Sequence, residues 1–265
     1  MQPTQQEKGE RFRALHAGEA FVIPNPWDGG SARVLEALGF EALATTSSGF
    51  AFTLGRRDGE VTLDELAGHV RVLTGATSLP VSVDLENGHG PAAEDAARAI
   101  ALAAEAGAVG GSIEDYDRGG TLYELDQAAE RIAAASEVAR GLGFPFILTA
   151  RAENHIRGNP DLDDTIARLQ AYERVGADVL YAPGLANGDQ IRAVCEAVSK
   201  PVNVLAHPGL TKSEIVEAGA RRISVGGALT WVAAGALGEA AAKLRDGDDF
   251  SVLTPPPQLR EWLGG

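Results

Sequence analysis

The chain has 265 residues, a formal charge of −14 and a hydrophobic fraction of 45%. Such an acidic balance excludes a nucleic-acid surface, which needs a basic footprint, and the apolar fraction excludes global disorder. The length suits one α/β barrel, and no 18-residue apolar span is present to cross a membrane.

Residues 5–17 read as a helix without an apolar signal core, which points to a cytoplasmic protein. A strand over 21–26 (FVIPNP) follows. Further strands are expected at 42–47 (ALATTS), 81–86 (VSVDLE), 109–115 (VGGSIED), 146–151 (FILTAR), 179–183 (VLYAP), 202–206 (VNVLA) and 222–226 (RISVG). Amphipathic Ala- and Leu-rich segments separate them, among them 92–106, 125–140 and 163–175. Gly39, Gly107, Gly176 and Gly219 stand where helix patterns stop, the place for a left-handed cap.

Eight strand–helix alternations predict a (β/α)8 TIM barrel. A doubly wound sheet is the alternative, but the G-x-G-x-x-G expected after its first strand is absent. No Pro/Gly/Ser-rich linker divides the chain, so residues 1–265 are assigned to one domain. A final helical pattern covers 228–244, followed by a loop with Pro255, Pro256 and Pro257.

Barrel active sites lie at the C-terminal strand ends. Polar groups collect there: Thr46, Ser47, Ser48 and Gly49 after the second strand, Asp84 and Glu86 on the third, Ser112, Glu114 and Asp115 on the fourth. Arg151, Glu153, Asn154 and His155 end the fifth, Tyr181 the sixth, and Asn203 and His207 the seventh. Strand residues two apart share a face, so Asp84 and Glu86 are expected to point together. Two such carboxylates repel unless a cation or a shared proton compensates, although a solvated strand end would also tolerate them.

With Glu114 they form an all-oxygen set suited to Mg²⁺ or Mn²⁺ rather than zinc. Arg151 is the natural anchor for a carboxylate; an internal ion pair to Glu114 or Glu153 is the competing role. The Ser48–Gly49 amides could grip an anion or simply form a turn. His89 could be a surface loop residue, and His155 and His207 either touch a ligand or cap a loop. Cys195 sits in a helical pattern, where packing explains it.

At these positions the chain resembles the isocitrate lyase / phosphoenolpyruvate mutase superfamily. The third-strand signature D-x-D-x-G-[YF]-G stands here as Asp84-Leu85-Glu86-Asn87-Gly88-His89-Gly90, with Glu for the second Asp. The family's I-E-D is Ile113-Glu114-Asp115, and its A-R-[TS]-[DE] is Ala150-Arg151-Ala152-Glu153. Its S-G and L-G-x-x-D are Ser48-Gly49 and Leu54-Gly55-Arg56-Arg57-Asp58.

The resemblance implies a Mg²⁺- or Mn²⁺-dependent enzyme for a small 2-oxo or dicarboxylic acid, with an enolate stabilised by the metal. Asp84 would ligate the metal directly, with Glu86, Glu114 and Asp58 acting largely through water. Arg151 and the Ser48–Gly49 amides would hold the carboxylate, with Thr46, Ser47 and Asn203 completing the expected substrate set.

The departures narrow the reaction. Isocitrate and methylisocitrate lyases carry a K-[KR]-C-G-H lid, whereas residues 115–123 read DYDRGGTLY. Those two activities are therefore rejected. The E-D-K-x-x-x-K-x-N-S lid of the mutases is absent too, and Thr46 stands where they have Trp. An oxaloacetate decarboxylase-like C–C lyase or hydrolase is the expected function. Its catalytic set is Arg151, Glu114, Asp58, Tyr116 and His207, with Tyr123 and Arg118 as further candidate proton sources. P–C bond chemistry on phosphonopyruvate and a non-catalytic oxo-acid-binding barrel are the alternatives. Resembling enzymes exchange the last barrel helix, so residues 228–244 are expected to be swapped in a homodimer or homotetramer; an ordinary eighth helix is the alternative. The expected partner is a small carboxylate, with neither nucleic acid nor membrane.

Overall fold

A computed structural model describes residues 2–247 and 250–263. Eight parallel strands run in the order β1-β8-β7-β6-β5-β4-β3-β2. They are β1 Phe21–Ile23, β2 Leu43–Ala44, β3 Val81–Asp84, β4 Gly110–Glu114, β5 Ile147–Arg151, β6 Val179–Tyr181, β7 Val202–Leu205 and β8 Arg222–Ser224. At the seam between β1 and β2 the Ala44 N–H donates to the Pro24 carbonyl (3.1 Å), and the Asn25 amide donates to the Thr45 carbonyl (2.9 Å). The (β/α)8 TIM barrel is thus borne out.

Eleven α-helices accompany the strands among the described residues. The first six are α1 Gln5–Ala17, α2 Gly29–Ala37, α3 Ser47–Thr53, α4 Leu63–Ala76, α5 Ala93–Glu105 and α6 Leu125–Gly141. The others are α7 Leu162–Arg174, α8 Gly188–Ala197, α9 Lys212–Glu217, α10 Ala228–Asp246 and α11 Leu259–Trp262. Capping boxes at Thr4–Glu7 and Thr62–Glu65 start α1 and α4, satisfying amides that the first helical turn leaves open. The four helix-end glycines named above all take positive φ, from 86° to 109°. At Gly107 a Cβ would also meet Thr74 Oγ1 at 2.9 Å.

Two corrections bear on the site. The second strand, expected to reach residue 47, stops at Ala44, because Thr46 caps α3 by accepting the Gly49 N–H (3.3 Å). The third, expected to reach residue 86, stops at Asp84, and Glu86 takes φ 49°. Strand alternation therefore does not place Asp84 and Glu86 on one face; a left-handed turn re-aims Glu86.

The apolar core lies between sheet and helices. Leu148, Leu169, Leu180, Val204 and Ile113 pack with the alanine-rich inner faces of α5 and α6. Phe12 of α1 plugs the strand starts against Phe21, Ile23, Val109, Ile147 and Val179. Inside the barrel the pattern reverses. Ser82, Ser112, Tyr181, Asn203, Arg222 and Ser224 line the interior, and Thr149 joins them through Arg222.

Helix α10 is unlike the other long helices. Only Thr230 among its 19 residues is buried, while Trp231, Val232 and Leu237 are 49%, 69% and 69% exposed. No helix among the described residues is long and apolar enough to cross a membrane.

Candidate active site

A cavity of about 170 Å³ opens at the C-terminal strand ends. Its wall includes Thr46, Ser47, Ser48, Asp58, Asp84, Ser112, Arg151, Tyr181 and Asn203. Arg151, the last residue of β5, is its organising group. Nη1 donates to Asp84 Oδ1 at 2.8 Å, and Nη2 pairs with Glu114 Oε2 at 3.0 Å and Glu153 Oε1 at 2.7 Å. The Tyr181 ring lies beneath, 5.3 Å from the guanidinium carbon. The internal ion pair considered for Arg151 is therefore formed. Burial opposes the Arg151 charge, but Glu153, Glu114 and Asp84 outweigh it and hold the group firmly protonated.

Asp84 is pinned by the Ser47 N–H (3.2 Å) and the Glu86 N–H (3.3 Å). Asp58, hydrogen-bonded to the Ser47 side chain, has its carboxyl pushed up by burial and by the nearby Asp84 charge. Glu86 is pushed up to about 7 by burial, with Asp84 and Asp58 adding to the effect and Arg118 opposing it. Glu114 is raised well above the ordinary carboxylate range by burial, which Arg151 only partly offsets. The site thus holds more buried carboxyl groups than its arginines keep readily ionised.

The structure does not gather every expected residue. Tyr116 forms a bridge to Leu122 and lies under Arg157, 4.0 Å away, rather than on the cavity wall. His207 is also off the wall, its Nδ1 accepting the Gly209 N–H at 3.1 Å. Gly49 is packed under Thr46 and Thr230, and its N–H is the one that Thr46 accepts. The Ser48–Gly49 pair is thus the first turn of α3 rather than a loop. Asn203 faces the cavity but is bonded to Ser224 and Arg222. His155 is bonded to Thr165 at 2.9 Å, and Asp115 anchors the scaffold through Arg168 and Tyr172.

Beyond β4, Arg118 folds back to Glu86 (3.0 Å), the Val61 carbonyl (3.1 Å) and His89 (2.8 Å). Sequence reasoning missed Arg222, Ser224 and Ser82 on the wall. The signal was present: β3, β4, β5 and β8 carry polar residues at alternate positions, namely 82 and 84, 112 and 114, 149 and 151, 222 and 224.

Residues 12–245 match the profile of the phosphoenolpyruvate phosphomutase family. The chain belongs to that family. It falls in the isocitrate lyase / phosphoenolpyruvate mutase superfamily, as the strand-end motifs implied. A Burkholderia cenocepacia J2315 crystal structure, described only as a lyase/mutase, is 50% identical with a TM-score of 0.94, covering 98% of this chain and 97% of that one. An oxaloacetate decarboxylase of Bradyrhizobium sp. (strain BTAi1) is 33% identical over 82% of this chain and 76% of its own. A 2-methylisocitrate lyase of Halalkalibacterium halodurans is 32% identical over 75% of this chain and 67% of its own.

Against this family background, Cys195 stands apart. It lies on α8, off the cavity wall, with its thiol pushed up to about 11 by burial. A thiol so protonated at neutral pH is a packing group.

The Glu86 shift gives a pH prediction for the metal-free protein. A carboxyl whose folded value is raised binds more protons in the folded state than in the unfolded one. Stability should therefore fall as pH rises from about 4.5 to about 7, the two values that bound the shift. Urea unfolding of the wild-type protein and Glu86→Gln across this window checks it. The variant should show a flatter pH dependence, and an unchanged slope would refute the assignment.

Proposed function

We propose that this chain is a divalent-cation-dependent lyase or hydrolase that cleaves a C–C bond in a small 2-oxo or dicarboxylic acid, as oxaloacetate decarboxylase does. The observation that carries this reading is the excess of buried carboxylate around Asp84 beside a guanidinium at a barrel mouth. Relatedness to an oxaloacetate decarboxylase supports it.

The donor set fits Mg²⁺ or Mn²⁺. Among the described residues no three carboxylate, His or Cys groups converge into a closed cage. Mg²⁺ commonly needs only one or two carboxylates plus water. Asp84 would hold it directly, with Glu86, Glu114 and Asp58 acting through water. When bound, the cation supplies positive charge for the oxyanion that develops on a 2-oxo acid.

The chain's own groups do the rest. Arg151, whose Nε and Nη2 are held by Glu153 and Glu114, would offer a substrate carboxylate its charge and the remaining Nη1 hydrogen. Ser47 and Ser48 line the same cavity, Ser47 next to Asp84, and Ile156, Pro183 and Leu205 exclude water. Tyr181, pushed up to about 12 by burial, keeps its proton at neutral pH, with the Ser224 side chain as its hydrogen-bond neighbour in the cavity.

The test is turnover of oxaloacetate with Mg²⁺ and with EDTA. Pyruvate or oxalate should form with Mg²⁺ and cease with the chelator; full activity in EDTA would sink the proposal. The phosphomutase profile favours P–C chemistry as the second reading. Phosphorus NMR with phosphonopyruvate separates the two, because P–C cleavage must produce a new resonance.

We also propose a homodimer or homotetramer formed partly through α10, whose exposed Trp231, Val232 and Leu237 need a cover. Light scattering at micromolar concentration should give a multiple of the 27.6 kDa chain mass. A monomer mass would count decisively against it.

A further inference from the structure

Arg222, the first residue of β8, is buried inside the barrel and is part of the cavity wall. Its Nε donates to Asn203 Oδ1 at 2.8 Å, its Nη2 donates to Thr149 Oγ1 at 2.9 Å, and its Nη1 lies 3.3 Å from His16 Nε2. Every one of these partners is uncharged. The His16 ring is driven down to about 3, by burial first and then by Arg222 itself. Among the described residues no carboxylate lies within ion-pair distance of Arg222, and Tyr181, the one group whose charge would favour its cationic form, keeps its own proton.

A buried cation without an anion is costly, and proteins normally pair or neutralise one. Neutralisation does not occur here: burial lowers Arg222 only to about 10, so it stays charged at pH 7. The contrast with Arg151 is direct. Those two are the cations on the cavity wall. Arg151 meets three carboxylates, whereas Arg222 meets none.

The sheet register explains how both face one space. Glu114, Arg151, Tyr181, Asn203 and Arg222 are successive partners along a single ladder row from β4 to β8. Residues in a row share a face, and the tilt of barrel strands carries such a row down the barrel axis. The row runs from the acidic end of the cavity at Glu114 to the floor at Arg222. Between the two guanidiniums lie only neutral donors and acceptors: Tyr181, Asn203 and, beside them, Ser224.

We propose that Arg222 forms the floor of a second anion subsite, which takes the distal carboxylate of a small dianionic substrate while Arg151 serves the mouth. The ligand class is a short dicarboxylate, such as oxaloacetate or a substituted malonate, in preference to a monocarboxylate. The proposal rests on the cavity being the substrate site, but not on any bond being cleaved there.

Calorimetric titration of the full-length protein with malonate and with acetate, in Mg²⁺ buffer, tests it. Arg222→Met should weaken malonate on the order of 10- to 100-fold and acetate by no more than about threefold, as expected for one lost charge-assisted contact. Arg222→Lys should recover part of the malonate affinity. Equal losses for both ligands, an unchanged malonate affinity, or no malonate binding by the unmodified protein would each overturn the subsite.

If the Met variant does not fold, bromide soaked into crystals of the unmodified protein decides. An anomalous peak against the guanidinium supports the site, and its absence overturns it. Oxaloacetate assays keep the two proposals apart. Arg222-dependent malonate binding without any turnover preserves the subsite and removes the lyase. Turnover with an unchanged KM in Arg222→Met preserves the lyase and removes the subsite.

Discussion

Asp84→Ala is expected to lower kcat/KM for oxaloacetate on the order of 10³-fold while leaving the protein at least as stable as before. Two losses combine in activity. The carboxylate best placed to hold a cation disappears, and Arg151 loses the 2.8 Å contact that fixes Nη1. Stability moves the other way, because Asp84 adds to the negative charge that raises Asp58, Glu86 and Glu114. Removing it relieves that repulsion, the usual opposition between a charged active site and a stable fold. Steady-state kinetics and urea unfolding on one preparation check both halves. Activity within tenfold of wild type would remove Asp84 from the metal site, whatever the stability.

Arg151→Met carries the largest expected cost in stability, about 3–5 kcal/mol, the range for removing one partner of a buried ionic network. Asp84, Glu114 and Glu153 would all lose their main counter-charge, and Glu153 is fully buried. Orphaned carboxylates can recover by taking up protons. The deficit should therefore shrink as pH falls from 7 toward 5, where the folded state binds protons that the unfolded state does not. A pH-independent deficit would mean that lost packing over Tyr181, rather than lost charge, explains the effect. Activity should vanish in either case.

The fold was legible because its signals were local. Residues 5–17 formed the first helix as expected, and α10 overran its expected end by only two residues. The glycines that end helices did so through backbone geometry that needs no tertiary context. Strand ends were less legible, and for the same reason the site was read imperfectly. Thr46 looks like a strand residue, yet its hydroxyl caps α3. Glu86 looks like a partner of Asp84 by alternation, yet it leaves the strand first. It remains in the cluster because the turn returns it toward Arg118.

Residues whose roles depend on distant partners were the ones misplaced. Tyr116 was a plausible proton source until Arg157, 41 positions away, covered its ring. Arg222 was read as a strand residue without chemistry, because nothing nearby in sequence shows that its inward face lacks an acid. The strand-end residues Asp58, Asp84 and Arg151 were easier to place together. They meet on one wall, since each follows a different strand to the same end of the barrel.

The polar interior separates two properties that many proteins must trade against each other. Apolar cohesion resides outside the ring, where Leu148 and Leu180 are fully buried against the helices. Above the apolar plug that Phe12 closes at the strand starts, side chains on the inner surface contribute little of it. Exchange at positions such as Ser82, Ser112 or Ser224 can therefore reshape what the barrel accepts without taxing the part that keeps it folded. A scaffold arranged this way can diversify its chemistry from within, one inward residue at a time, while its outer shell stays constant.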